Sequence, residues 1–198
     1  MGDLSSVKPF ETEVRFFIPD IHIFKQKVDE LGCSLLKEYA FTDYYFKPKV
    51  DGWDQLTQSF RIRQWLKPAK PTAIMITKQT IESVDGISFK KSVYPEGKLI
   101  LLEAKFDFCK QVAHDLGFEP LFSITKNQGW VWESKENELE FCAEEVEGLG
   151  WTGEFELDGT IIDEIKKSIK RHQDLLEINP NDMSSKPLSV LFEERLNA

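Results

Sequence analysis

Period-two alternation of polar and apolar residues runs through most of the chain, broken by a few stretches where apolar residues recur every three or four positions. Glu11 to Ile18 (ETEVRFFI) alternates charged residues with Thr, Val and Phe, which predicts a strand. Asp20 stands before IHIFKQKVDELG, where Ile21, Phe24, Val28 and Leu31 share one helical face and Gly32 can end the helix. Strand patterns follow in LLKEYAFTDYYF from Leu35, SFRIRQWL from Ser59, AIMITKQTI from Ala73 and ISFKKSVY from Ile87. Turns are expected at Pro48, at Asp51-Gly52 and from Lys67-Pro68 to Pro71. Leu99 to Leu116 reads as a helix ending at Gly117. Four more strands are predicted in PLFSITK, GWVWESK, ELEFCAEEV and TGEFELDG, between Pro120 and Gly159. A long amphipathic helix, IIDEIKKSIKRHQDLL from Ile161, and a short one, SVLFEERLN from Ser189, close the chain.

Many strands with regular turns in 198 residues, and no low-complexity linker, point to one α+β domain spanning 1–198, with a core of about 9–192. Such a strand set builds either a sandwich or a barrel, and the polar faces distinguish them. Glu11, Glu13 and Arg15 are two residues apart and project from one strand face, as do Arg61 and Arg63, and Glu154 and Glu156. Like charges sharing a face cost stability unless a counter-ion lies between them. If the sheet closes with helices on its apolar outer face, these charges meet in the lumen. Arg and Lys suit phosphate oxygens, and paired glutamates suit a hard cation such as Mg²⁺ or Mn²⁺.

Bulk composition narrows the function classes. A content of 41% hydrophobic and 12% aromatic residues excludes a disordered chain. A formal net charge of -9 argues against a general nucleic-acid binder, although a bound divalent cation can turn an acidic site into an anion receptor. Cys33, Cys109 and Cys142 are odd in number and lack a CxxC pair, and His22, His114 and His172 are equally scattered, so neither disulfides nor zinc is expected. No apolar run approaches the roughly 20 residues that cross a bilayer, and no secretory signal is evident. A cytoplasmic protein without membrane or nucleic-acid partners is the expectation, as a monomer or homodimer.

The residues resemble a known family. Glu11-Thr12-Glu13-Val14-Arg15 is similar to the ExExK signature of the CYTH superfamily, the triphosphate tunnel metalloenzymes, which include class IV adenylyl cyclases, thiamine triphosphatases and inorganic triphosphatases. The resemblance continues through FTDYYF (from Phe41), FRIR (from Phe60), ITK (from Ile76), LGFEPLFSITK (from Leu116), AEEVEGLG (from Ala143) and GEFE (from Gly153). ExExK alone is a weak signal. EVEGLG followed at the proper spacing by ExE, with ExExR at the other end, is more specific.

The resemblance implies a closed eight-stranded antiparallel β-barrel, a tunnel holding a triphosphate lengthwise, with helices packed outside. By position it implies Glu11, Glu13, Glu144, Glu154 and Glu156 as ligands of Mg²⁺ or Mn²⁺. It implies Arg15, Arg61, Arg63, Lys78, Lys90, Lys126 and Lys186 as phosphate-binding cations, with Arg15 and Lys78 in catalytic roles. Hydrolysis of inorganic, thiamine or nucleoside triphosphate is the expected activity. Cyclisation of ATP to cyclic AMP, and triphosphate binding without catalysis, are the alternatives. Three departures from the family pattern bear on this choice: Arg15 replaces the signature's lysine, Lys126-Asn127-Gln128 replaces K-x-R, and the acidic pair of the middle strand (R-x-E-x-E) is absent, with Lys90 near that position.

Overall fold

The computed structural model describes residues 10–85, 87–95, 97–184 and 186–196. The first strand, β1 (Phe10–Phe17), leads into α1 (Ile21–Glu30), whose N-cap Asp20 accepts hydrogen bonds from the backbone N–H groups of His22 and Ile23 at 2.8 and 3.2 Å. Gly32, at φ +63°, takes the left-handed conformation that releases the chain into β2 (Ser34–Pro48). Then come β3 (Gln58–Lys67), β4 (Thr72–Val84), β5 (Ile87–Ser92), β6 (Leu99–Ala104) and α2 (Phe106–Asp115). The second half holds β7 (Phe118–Ser134), β8 (Leu139–Val146), β9 (Gly150–Gly159), α3 (Ile162–Leu175), the two-residue β10 (Met183–Ser184) and α4 (Leu188–Leu196). Asn197, read above as the end of the last helix, lies outside the described residues.

One expected element is corrected. Leu99–Ala104 is a strand paired with β4, and the helix begins only at Phe106. Leu99 to Leu102 (LILL) is a continuous apolar run, and such a run satisfies strand and helix templates alike. Lys105 is extended, at φ -67° and ψ 146°, and this marks the switch. PLFSITK and GWVWESK, read as two strands, form the single long β7, bent by a bulge at Asn127 between Lys126 and Gln128.

All described strands join one antiparallel sheet in the order β10-β1-β5-β4-β3-β2-β7-β8-β9, with β6 on β4. In addition β9 pairs with β1 in continuous register from Phe10↔Gly159 to Phe17↔Thr152. The other edge of β1 is shared: Glu11 pairs with Lys90 of β5, and Arg15 and Phe16 pair with β10. The outward residues of β1, β8 and β9, among them Val14, Phe16, Phe141 and Phe155, form the main core with Phe24 and Val28 of α1 and Ile165 and Ile169 of α3. Phe60, Ile62 and Ile74 pack against Cys109 and Ala113 of α2. Leu188 and Phe192 of α4 close on Ile124, Val146 and Phe122. With helices on these apolar faces, the alternate residues of each strand are left facing inward, and those are the charged ones.

Candidate functional site

The inward residues line a cavity of about 690 Å³. Glu11, Glu13, Arg15, Arg61, Arg63, Lys90, Lys126, Glu144, Glu154 and Glu156 all contribute to its wall, so charged residues from both ends of the sequence share one space.

The acidic wall is built by the β1–β9 register. It sets Glu13 directly opposite Glu156, Glu11 opposite Asp158 and Arg15 opposite Glu154. The last is a matched ion pair; the first two put like charges side by side. Carboxylate oxygens of Glu11, Glu13 and Glu156 lie within 4.8 Å of one another, the one group among the described residues whose geometry suits a metal ion. Burial and the charges of Glu11 and Glu13 push the Glu156 carboxyl up to about 7, and burial with Glu13 also raises Glu11. Glu13 moves the other way: burial opposes its charge, but Lys90 together with Arg15 and Arg61 lowers its pKa. Lys90 is only 4% exposed, and its ammonium donates to Glu13. Three oxygen donors on one face are the chemistry that Mg²⁺ or Mn²⁺ prefers, so the residues fit such an ion.

A second cluster sits deeper. Glu144, 2% exposed, accepts hydrogen bonds from Arg15 at 3.2 Å, from the Tyr39 hydroxyl and from Lys126. Burial alone would raise its pKa, but Lys126 and Arg15 hold it down at about 2. Arg15 also donates to Thr152 at 3.1 Å and to Glu154. Burial would lower the guanidinium's pKa, yet Glu154 and Glu144 raise it. The Tyr39 ring can cross here only because Gly129 lies beneath it; a Cβ at Gly129 would sit 2.4 Å from that ring.

The basic wall comes from β2 and β3. Asp43, 3% exposed, accepts a bidentate pair of bonds from Arg63, at 2.7 and 2.6 Å, and lies 3.6 Å from Nε of Arg61. Burial opposes its charge, but the two arginines lower its pKa. Nε of Arg61 is buried and has no hydrogen-bond partner. The Arg63 guanidinium stacks 3.7 Å from the Phe41 ring centre, and Lys126 approaches the same ring at 5.1 Å. Lys37 also faces the cavity, between Tyr39 and Trp65.

Several expected roles are corrected. Lys78 does not line the cavity: Thr77 and Gln79 do, and alternation turns Lys78 outward with Ile74 and Ile76, where it is exposed. Lys186 is exposed and pairs with Glu194 at 2.6 Å. Glu144 and Glu154 stand apart from the three-carboxylate group and are engaged by Arg15, Lys126 and Tyr39. Arg15 lines the cavity and gives three of its five N–H donors to Glu144, Glu154 and Thr152. Lys90 is in the cavity but is held by Glu13. Gln128, at the position of the missing K-x-R arginine, is turned outward and exposed by the Asn127 bulge, opposite Glu145, so an arginine there would miss the cavity.

Sequence reasoning missed Lys37, Tyr39, Asp43, Lys98 and Asp158, all of which line the cavity. The signal was present for three of them. Asp158 extends the two-residue spacing of Glu154 and Glu156, and Tyr39 and Asp43 flank Phe41 at the same spacing.

No protein-family profile matches the chain, and no curated protein matches it in sequence. Solved structures do match in fold. A conserved hypothetical protein of Pyrococcus furiosus superposes with a TM-score of 0.70 at 19% identity, covering 91% of this chain and 99% of its own. A protein of Vibrio parahaemolyticus described as a candidate adenylate cyclase gives 0.67 at 14% identity, covering 96% and 98%. HpAC1 from Hippeastrum, a candidate adenylyl cyclase described as having a dominant triphosphatase activity, gives 0.61 at 14% identity, covering 94% and 95%. The chain shares the fold of these proteins.

Proposed function

We propose that this chain takes the triphosphate of a small molecule lengthwise into a closed eight-stranded barrel, and hydrolyses its terminal phosphoanhydride with Mg²⁺ or Mn²⁺. Closure is supported by the β1–β9 register, which returns the sheet path to its first strand. The observation that carries the reading is the segregation of charge within one cavity: three convergent carboxylates on β1 and β9, and the Arg61, Arg63 and Lys126 cations on β3 and β7. A volume of about 690 Å³ is within the range of small-molecule sites. Fold neighbours described as adenylate cyclases, one of them with triphosphatase activity, favour the same substrate class.

Glu11, Glu13 and Glu156 would hold the divalent ion, which when bound neutralises phosphate charge and activates water. Arg61 and Arg63 grip phosphate oxygens. Asp43 fixes the Arg63 fork and lies 3.6 Å from Nε of Arg61, which holds both guanidinium groups at the cavity wall. Lys126, supported from behind by Glu144, adds a point charge. In hydrolysis, water attacks the terminal phosphorus, the bridging P–O bond breaks, and these cations stabilise charge moving to the leaving diphosphate.

The test is a parallel assay of phosphate and cyclic-nucleotide release from ATP, thiamine triphosphate and tripolyphosphate, with Mg²⁺ and with Mn²⁺. Phosphate without cyclic product is expected, and cyclic AMP from ATP would select the cyclase reading. A second reading, a binder without turnover, is favoured by one observation: Arg15 is engaged by Glu144, Glu154 and Thr152, and Lys78 does not line the cavity. Tight tripolyphosphate binding with no product in any condition would select it. Neither binding nor product would refute the triphosphate site.

A further inference from the structure

Lys90 is a cavity residue to which the proposed chemistry gives no role. It arises from β5 opposite Glu11, is 4% exposed, and places its ammonium on Glu13 at the edge of the three-carboxylate group. Burying a lysine this completely is costly unless its charge is matched. Its partner is a member of the group with the geometry for a cation, so protein and metal compete for the same carboxylate.

We propose that Lys90 is a built-in counter-ion that sets the affinity of the cation site, by occupying Glu13 and lowering the charge presented to a divalent ion. With Glu13 held by Lys90, the negative charge that the group presents to a divalent ion is reduced by one. Like-charge repulsion between ammonium and metal weakens binding further at this range. The ion is then held loosely enough to arrive with a phosphate-bearing ligand, whose oxygens supply the remaining coordination. This inference rests on the proposed cation site, and its test separates the two.

EDTA-treated protein is titrated with Mn²⁺ alone, reading free Mn²⁺ by electron paramagnetic resonance and the Mn²⁺-induced rise in Tm. Lys90→Met is expected to bind at least tenfold more tightly than wild type and to show a larger Tm rise. Lys90→Gln, which keeps a hydrogen-bond donor for Glu13, is expected to move the same way and serves if the methionine variant does not fold. Lys90→Arg retains the charge and should bind as wild type does. Mn²⁺ affinity unchanged or weaker in both neutral variants overturns the role of Lys90. An unchanged Mn²⁺ affinity with weakened tripolyphosphate binding does so too, and makes Lys90 a phosphate ligand instead. Wild-type Mn²⁺ binding that survives Glu156→Gln undiminished sinks the cation site itself, and with it the inference.

Discussion

Glu144 is where the geometry departs most usefully from the family pattern, and replacing it by glutamine tests that departure. The carboxylate is 2% exposed and bonds Arg15, Lys126 and Tyr39 at once. Its folded pKa of about 2 against an ordinary 4.5 corresponds to about 3 kcal/mol favouring the charged form. Because the folded value is depressed, that stability is fully present above pH 4.5 and is lost as pH falls towards 2. Removing one partner of a buried ion pair costs about 3–5 kcal/mol, so the two routes agree. For a chain of this size that predicts a Tm roughly 10 °C lower for Glu144→Gln at pH 7. Melts followed by circular dichroism at pH 7 and at pH 3.5 check it, and the gap between the two proteins should narrow at the lower pH. Mn²⁺ affinity of the folded variant should stay at the wild-type level, because Glu144 is outside the three-carboxylate group. A Tm within 2 °C of wild type at pH 7, or loss of Mn²⁺ binding by a folded variant, would refute the assignment of Glu144 as an anchor.

Three other predictions follow from the geometry. Arg61→Ala should weaken tripolyphosphate binding at least tenfold by calorimetry, whereas Lys78→Ala, on the outer face, should leave it within about twofold. Mn²⁺ affinity should fall between pH 8 and pH 6, since protonation of Glu156 near pH 7 removes a ligand charge; equal affinity at both would contradict the shared site. Gly129→Ala should cost about 1–3 kcal/mol in urea unfolding, because its Cβ would enter the Tyr39 ring at 2.4 Å.

Most of the strands were legible because each has one apolar face, and the period-two pattern survives wherever a helix covers that face. The acidic residues of β1 and β9 were legible for the same reason: Glu11, Glu13, Glu154 and Glu156 keep strict spacing, and the structure turns all four inward. Lys78 was misplaced because the ITK match fixes residue types and not parity. Ile74 and Ile76 face α2 and take Lys78 out with them. Gln128 was misjudged because a bulge at Asn127 shifts the alternation by one, and nothing in the local sequence announces it. Glu144 and Arg15 were found as cavity residues, but their mutual ion pair was not legible, since which acid meets which base depends on register between strands more than a hundred residues apart in sequence.

Under the proposed function a chain of net charge -9 would hold a polyanion, and the distribution of charge in the cavity is suited to that. On the basic side Arg61, Arg63, Lys37 and Lys126 share Asp43 and part of Glu144, so that wall carries surplus positive charge. On the acidic side Glu11, Glu13, Glu154, Glu156 and Asp158 share Arg15 and Lys90, so that wall carries surplus negative charge. The β1–β9 register keeps Glu11, Glu13, Glu156 and Asp158 together, and the two walls meet at Glu144, which bonds both Arg15 and Lys126. A monovalent anion would relieve only one wall, and a bare cation only the other. A polyphosphate with a divalent cation attached relieves both at once, with its oxygens towards Arg61 and Arg63 and its metal towards Glu11 and Glu156. On the proposed function the two halves of a metal–polyphosphate complex should bind with positive coupling: Mn²⁺ at saturation should tighten tripolyphosphate binding beyond what Mn²⁺–tripolyphosphate complexation in solution accounts for, and Glu156→Gln should abolish the excess.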